Sequence, residues 1–314
     1  MGVELACAVL SYRDEPTLVG AVESLLAQSE PVELVVVNSG GGDPESRLRA
    51  AGIIVPVVNV RGRLYPGGAR NVGIDHTGAP FISFLAADCV AEPGWIAGRL
   101  REHAAGAVAV ASSVTNAYPD SHAAWASFLL LHNRLVTAGP SVPHALYGLS
   151  YDRRLFAAYG RFSEDLRAGE DTEFNARFSA DHPIVKASDV RTGHRYPTRA
   201  GAVVRDAYRR GRLQATMLGR IDRGPSGRPR SLLVAARACL NVPHALRFAW
   251  NAPRKTRRRL LAACPLVVPG GVAYAVGALA AAWHRDGTIS TPVVRAVSAR
   301  TPPDGGPGAR GGSG

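Results

Sequence analysis

The sequence predicts an α/β fold, a mostly parallel sheet flanked by helices, followed by a C-terminal helical extension of different composition. Three observations predict it. Short apolar runs alternate with helical periodicity through the first 85 residues, the pattern of buried parallel strands covered on both faces. Polar residues collect where those runs end, at the carboxyl edge where such sheets bind ligands. The charge then changes sign: residues 1–194 carry 16 Lys+Arg against 21 Asp+Glu, whereas residues 195–260 carry 17 against 2.

The elements follow in order. Val3–Leu10 reads as a buried strand; its short apolar run meets Arg13, Asp14 and Glu15 at once, unlike a signal peptide. Pro16 suits a first helical turn, and Leu18, Val22, Leu25 and Leu26 repeat at helical spacing to Gln28. Glu33–Val37 is a second strand ending in the glycine-rich turn Asn38–Asp43, and Ile53–Val60 a third apolar run. A glycine turn feeds a helix over Pro66–His76, and Phe81–Leu85 is a fourth strand ending at Asp88. Beyond it the pattern loosens. Gly106–Ser113, His144–Ser150 and the short Ile184–Ala187 are candidate strands, and Gly169–Phe178 is a helix with acids in its first turn. A basic helix is expected from Ala202 to Leu218, stopped by Gly219, and Gly224–Arg230 reads as a linker.

The 24 residues Leu260–Trp283 carry no charge and follow the basic run Arg254–Arg259. That length can span a bilayer, and the arginines would keep their end cytoplasmic. Pro265, Pro269, Gly270 and Gly271 interrupt it, so a membrane-surface helix and a buried soluble helix stand beside the spanning or re-entrant reading. The Gly/Pro-rich tail from Pro302 cannot build a core. The expected organisation is a catalytic domain at 1–220, a basic linker and helical segment at 221–258, a hydrophobic segment at 259–284 and a disordered tail at 285–314.

With 314 residues, 46% hydrophobic and 20% charged, the chain is neither disordered nor fibrous, and it can bury a core without disulfides. Cys7, Cys89, Cys239 and Cys264 lack C-x-x-C spacing and read as buried thiols, not a zinc site. There is no P-loop, dinucleotide-binding glycine loop or Gly-x-Ser-x-Gly turn.

Four features can carry chemistry, and each has a plainer reading. Asp88 can hold Mg²⁺ or Mn²⁺ against a diphosphate, or simply cap the helix after Pro93. Gly67–Gly73 can offer backbone N–H groups and Arg70 to a phosphate, or just turn the chain into a helix. Glu170 and Asp171 can supply a general base, or serve as helix-start acids. His194 can ligate a metal, or be structural.

Their order and spacing resemble a family 2 glycosyltransferase of the GT-A, Rossmann-like fold. The resemblance rests on Ala8–Arg13 with Ser24–Gln28, on Glu33–Gly40, and on Gly68–Gly73 through Phe84–Asp88 to Pro93-Gly94-Trp95. It continues through Tyr159–Leu166 to Gly169-Glu170-Asp171 and ends at His194, covering about residues 3–215. It implies donor contacts from Ser11, Tyr12, Asp14, Asn38, Arg70, Asn71 and Ala87, and a divalent metal, Mg²⁺ or Mn²⁺, on Asp88 and His194. It further implies catalysis by Asp171 with Glu170 beside it, and acceptor-side positions at Gly148 and Trp95. Two positions depart from the family pattern: Ala86 stands where the first acid of the D-x-D motif is expected, and Asn38 replaces an acid that often reads the base.

The implied activity moves a sugar, with inversion, from a nucleotide-diphosphate sugar to an acceptor hydroxyl on a glycan or lipid-linked acceptor of the cell envelope. The alternative is an inactive GT-A-fold binding or scaffold protein at the membrane, motivated by Ala86. The arginine cluster would also permit nucleic acid. Beside an uncharged stretch it suits anionic lipid headgroups better, so the expected partner is an anionic membrane surface and not nucleic acid. The expected location is the cytoplasmic face of the plasma membrane, peripheral or single-pass.

Overall fold

The computed structural model describes residues 2–132, 146–221, 242–252 and 254–283. The expected linker at 224–230 and the tail after Trp283 lie outside the described residues. The strands are β1 (Leu5–Tyr12), β2 (Glu33–Ser39), β3 (Val57–Val60), β4 (Phe81–Ala86), β5 (Cys89–Ala91), β6 (Ala109–Asn116), β7 (Tyr147–Asp152) and β8 (Val185–His194). They form one sheet in the order β3-β2-β1-β4-β7-β6-β8-β5.

The half from β3 to β4 is parallel throughout. Its strands are apolar on both faces because helices cover both. Leu5, Cys7 and Val9 of β1 pack with Leu18, Val22 and Leu25 of α1 (Leu18–Leu26), Leu48 of α2 (Pro44–Ala50), and Trp95 and Ile96 of α4 (Trp95–Ala104). Ala6 and Ala8 face the other way, onto Ala69 and Ile74 of α3 (Pro66–Asp75). That face is completed by Phe156 of α6 (Arg154–Tyr159) and by Phe174 and Phe178 of α7 (Glu170–Phe178). Gly73 lets α3 lie against β1, since an added Cβ would collide with that of Ala8.

The other half is mixed: β7 is antiparallel to β4 and β6, β8 is parallel to β6, and β5 is antiparallel to β8. Here β8 runs ten residues to His194, well past the short Ile184–Ala187 expected. Its burial breaks at Ser188–Asp189 and again at Arg191, so no apolar run marks it in the sequence. An arginine lies inside this half. Arg99 is fully buried, donates to Val110 O, Ser150 Oγ and Gly148 O, and stacks 3.9 Å over the Trp95 ring. Burial pushes its pKa down to about 9.

A third helical cluster sits beside the sheet: α5 (His122–Leu131), α8 (Ala200–Ile221), α9 at 242–251 and α10 (Arg254–Trp283). Helices α8 and α10 approach closely through glycines. A Cβ on Gly211 would strike the Tyr274 carbonyl, and one on Gly277 the Tyr208 carbonyl. Helix α8 runs through Gly219, the expected stop, to Ile221. The glycine costs a helix about 1 kcal/mol, which packing along α10 can offset. Helix α10 is continuous through Pro265 and Pro269 and includes the basic run Arg254–Arg259 in its first turns.

Candidate active site

The site lies at the carboxyl edge of the parallel strands. After β1 the chain turns sharply: Arg13 and Asp14 both take left-handed φ angles, 56° and 55°. Two hydrogen bonds hold this uncommon geometry. Arg13 N–H donates to Ser39 O (2.8 Å), and Asp14 N–H donates to Asn38 Oδ1 (3.1 Å). Asn38 is fully buried, and its amide donates to Gly41 O and Asn59 Oδ1. It therefore shapes the loop after β1, each of its polar atoms having a partner within the protein. Ser11 is buried too and accepts from Glu15 N–H, while Asp14 pairs with Arg47 of α2 at 2.8 Å. Tyr12 stays exposed, flanked by the guanidinium groups of Arg13 and Arg63 at 5.3 and 5.2 Å from its ring.

After β4 comes Asp88, with its side chain 45% exposed. Antiparallel pairing sets Cys89 opposite His194, and Arg195 N–H donates to Asp88 O at 2.8 Å. This brings His194 Nε2 to 3.7 Å from Asp88 Oδ2. One ligand atom each from Asp88, Cys89 and His194 lie within 4.8 Å of one another. The three are unequal as ligands. Burial, reinforced by Asp88, pushes the Cys89 thiol far above its ordinary range, so it stays protonated. It donates to Asp88 Oδ1. Burial lowers the His194 pKa and outweighs the pull of Asp88, which favours the neutral ring that a metal needs. His194 Nδ1 is buried with no hydrogen-bond partner. The imidazole stacks on Tyr196 at 4.4 Å, and Tyr196 is anchored by a 2.7 Å hydrogen bond with His132 Nδ1.

These groups open onto a cavity of about 500 Å³. Its wall includes Glu15 and Thr17 near α1, Tyr118 after β6, Arg195 and Tyr196 after β8, and Asp206 and Arg210 of α8. Burial and the nearby Asp88 raise the Glu15 pKa. Arg210 pairs with Asp206 at 2.7 Å. None of these wall residues was singled out from the sequence. Arg195 and Tyr196 adjoin His194, which was a usable signal; Arg210 looks like any other arginine of the basic segment.

A second group stands at the start of α3 and α7. The α3 N-terminus reaches it because Gly67 has no Cβ to strike Ser163 O. Arg70 is paired tightly with Glu170 and lies 3.9 Å from Asp171, with its guanidinium over the Phe84 and Phe162 rings. Glu170 and Asp171 hold its guanidinium in place. Glu170 is 5% exposed and Asp171 25%, so Asp171 is the carboxylate a ligand can reach.

Four other expected positions make internal contacts. Asn71 is buried, donates to Phe162 O and Glu164, and accepts from Phe162 N–H, so it ties the 162–164 loop down. Trp95 is fully buried, and its indole N–H donates to Thr192 Oγ1. Gly148 sits within β7 at φ 53°, where a Cβ would crowd Ser112 and its carbonyl accepts from Arg99. The Ala87 side chain is buried; its backbone N–H donates to Leu10 O and its carbonyl accepts from Arg195.

Residues 7–156 match the family model described as Glycosyl transferase family 2. No curated protein sequence matches significantly. Among solved structures the chain is similar to mannosyltransferase PcManGT from Pyrobaculum calidifontis, in complex with GDP-Man and Mn²⁺. The TM-score is 0.58 at 17% identity, covering 90% of this chain and 88% of that one. It is also similar to glucosyl-3-phosphoglycerate synthase from Mycobacterium tuberculosis, in complex with Mn²⁺, UDP-glucose and phosphoglyceric acid. There the TM-score is 0.51 at 18% identity, covering 72% of this chain and 82% of that one. The same enzyme with Mg²⁺ and UDP gives a TM-score of 0.50 at 18% identity, covering 72% and 82%. At these identities the likeness is one of fold, and the fold is GT-A.

Proposed function

We propose that this chain, a GT-A fold whose residues 7–156 carry the family 2 glycosyltransferase match, transfers a sugar from a nucleotide-diphosphate donor to an acceptor hydroxyl with inversion. The observation that carries the reading is the Asp88–His194 pair on the wall of an acid-lined cavity at the carboxyl edge of the sheet. His194 Nε2 lies beside the half-exposed Asp88 carboxylate, and a neutral imidazole nitrogen with a carboxylate oxygen is a donor set that fits Mg²⁺ or Mn²⁺. Cys89 is a soft sulfur donor that suits these hard ions poorly, and its thiol donates to Asp88 Oδ1. When bound, such an ion neutralises the charge that a diphosphate leaving group develops.

The chain's own residues divide the remaining work. Tyr12, with Arg13 and Arg63 beside it, offers a stacking face and positive charge to the nucleotide. Arg210 supplies a cation to the cavity, held in place by Asp206. Arg70 fixes Glu170 and orients Asp171. Asp171 accepts the proton of the acceptor hydroxyl as its oxygen bonds to the anomeric carbon and the bond to the diphosphate breaks. One displacement on the face opposite the leaving group inverts the configuration.

A lipid-linked acceptor at an anionic membrane surface is supported by α8. One flank of that helix lines the cavity through Asp206 and Arg210, and the other lines an apolar groove with α10 through Val204 and Tyr208. A thermal-shift screen of nucleotide-diphosphate sugars, with and without Mn²⁺, tests the function. A stabilising donor whose effect requires the ion is expected; no response to any donor overturns the reading.

A further inference from the structure

Helix α10 has two unlike faces. The inner face is closed by protein: Leu260, Ala263 and Val267 pack with Leu129 and Leu130 of α5, and Gly277 meets the α8 backbone. The outer face presents Val268, Val272, Val276 and Leu279, between 41% and 58% exposed, and no charge interrupts Leu260–Trp283. A groove of about 730 Å³ between α8 and α10 continues this apolar surface, with Arg205 on its wall. Arg205 and Arg209 are exposed one helical turn apart, and Arg254 and Arg258 are exposed at the start of α10. Against the 17 cations of residues 195–260 stand only Asp206 and Asp222, and Asp206 is paired with Arg210 on the cavity flank of α8.

We propose that this α8–α10 face docks onto an anionic lipid bilayer with α10 lying in the membrane plane instead of crossing it. The proposal rests on the membrane-acceptor reading above and fixes how the chain meets the bilayer. An apolar stripe edged by arginines matches an acyl boundary beneath anionic headgroups. A crossing helix must shed its neighbours or carry them inside. Here the neighbour is α8, with Arg205, Arg209 and Arg210. Pro265 and Pro269 have no N–H, so the carbonyls of Leu261 and Pro265 lose their usual helical donors on a helix whose prolines are exposed. Water at the interface can satisfy such groups, whereas the hydrocarbon centre cannot. In this pose the catalytic cavity lies one helix width from the bilayer, about 10 Å.

Two measurements on the full chain test it. The first is co-sedimentation with phosphatidylglycerol/phosphatidylcholine vesicles and with phosphatidylcholine alone. Binding to the anionic vesicles is expected, weakened about tenfold by Arg205→Glu with Arg209→Glu and likewise by Val272→Asp with Val276→Asp. Donor turnover by the soluble variants should be unchanged. The second places spin labels singly at Ala262, Val272 and Leu279 in a Cys239→Ser, Cys264→Ser background and reads their depth. From Ala262 to Leu279 the helix rises about 26 Å, close to the hydrocarbon thickness of about 30 Å. In-plane docking gives shallow depths at all three sites, with Val272 and Leu279 of the outer face the deeper and Ala262 at the helix flank; a span places Ala262 and Leu279 at opposite headgroup layers with Val272 deep between them. Equal binding to both vesicles, a depth profile with opposite ends and a deep centre, or self-association through this face without vesicle binding each overturns the proposal. No vesicle binding by the wild-type chain, with its donor turnover intact, refutes the docking alone. Absent donor turnover with intact vesicle binding refutes the transferase reading alone.

Discussion

His194 Nε2 stands 3.7 Å from Asp88 Oδ2, although one residue ends β8 and the other follows β4. The pairing of β5 with β8 brings them together, and Tyr196 stacks on the imidazole to hold its plane. His194→Ala should therefore weaken Mn²⁺ binding by at least about tenfold while the fold persists. Isothermal titration with Mn²⁺ measures it; unchanged affinity would remove His194 from the ligand set.

Ala86 is exposed at the end of β4, two residues before Asp88. A carboxylate there would add a second oxygen ligand near the ion. Ala86→Asp should tighten Mn²⁺ binding several-fold, read by the same titration. A weaker ion in the variant would mean that the methyl at this position serves another purpose.

Arg70 closes over a nearly buried Glu170. Removing one partner leaves an uncompensated charge, which costs about 3 kcal/mol at a pair this enclosed. Arg70→Met should lower unfolding stability by that order in urea. Glu170→Gln with Arg70→Met should recover part of it, because the stranded carboxylate is gone.

His103 is buried against Phe81, with Nδ1 2.7 Å from Ala107 O and Nε2 2.8 Å from Ser150 Oγ. Burial lowers its pKa in the folded state below the ordinary 6.5. The unfolded chain then binds the proton more readily, so this contribution is complete above pH 6.5 and is lost as pH falls below it. Thermal melting between about pH 7.5 and about pH 5 should fall less steeply for His103→Gln than for the wild type. Parallel curves would refute the assignment.

The parallel half of the sheet was legible because buried strands must be largely apolar on both faces, as Val35–Val37 and Ile82, Phe84 and Leu85 are. Strand β5 has only three residues, too few for any period, and β8 carries half-buried Lys186 and exposed Asp189 and Arg191 among its buried positions. Asp88, His194 and Asp171 were legible as chemistry-bearing types at strand and helix ends. The internal contacts of Asn71, Trp95 and Gly148 were not legible, because motif membership does not tell which loop or core a residue braces. The cavity wall from α8 was hidden for a different reason. Arg210 faces Asp206 and the cavity while Arg205 faces outward, and only the packing of α8 against α10 separates two arginines of one basic helix.

In the proposed reaction Asp171 takes the acceptor proton. Donor turnover by wild type and Asp171→Asn, with Mn²⁺ and the anomeric configuration of the product read by NMR, tests it most directly. The prediction is an inverted product from the wild type, a fall in kcat of about 10²–10⁴ in the variant, and unchanged donor affinity. Retained configuration, or equal kcat in the two proteins, would contradict it.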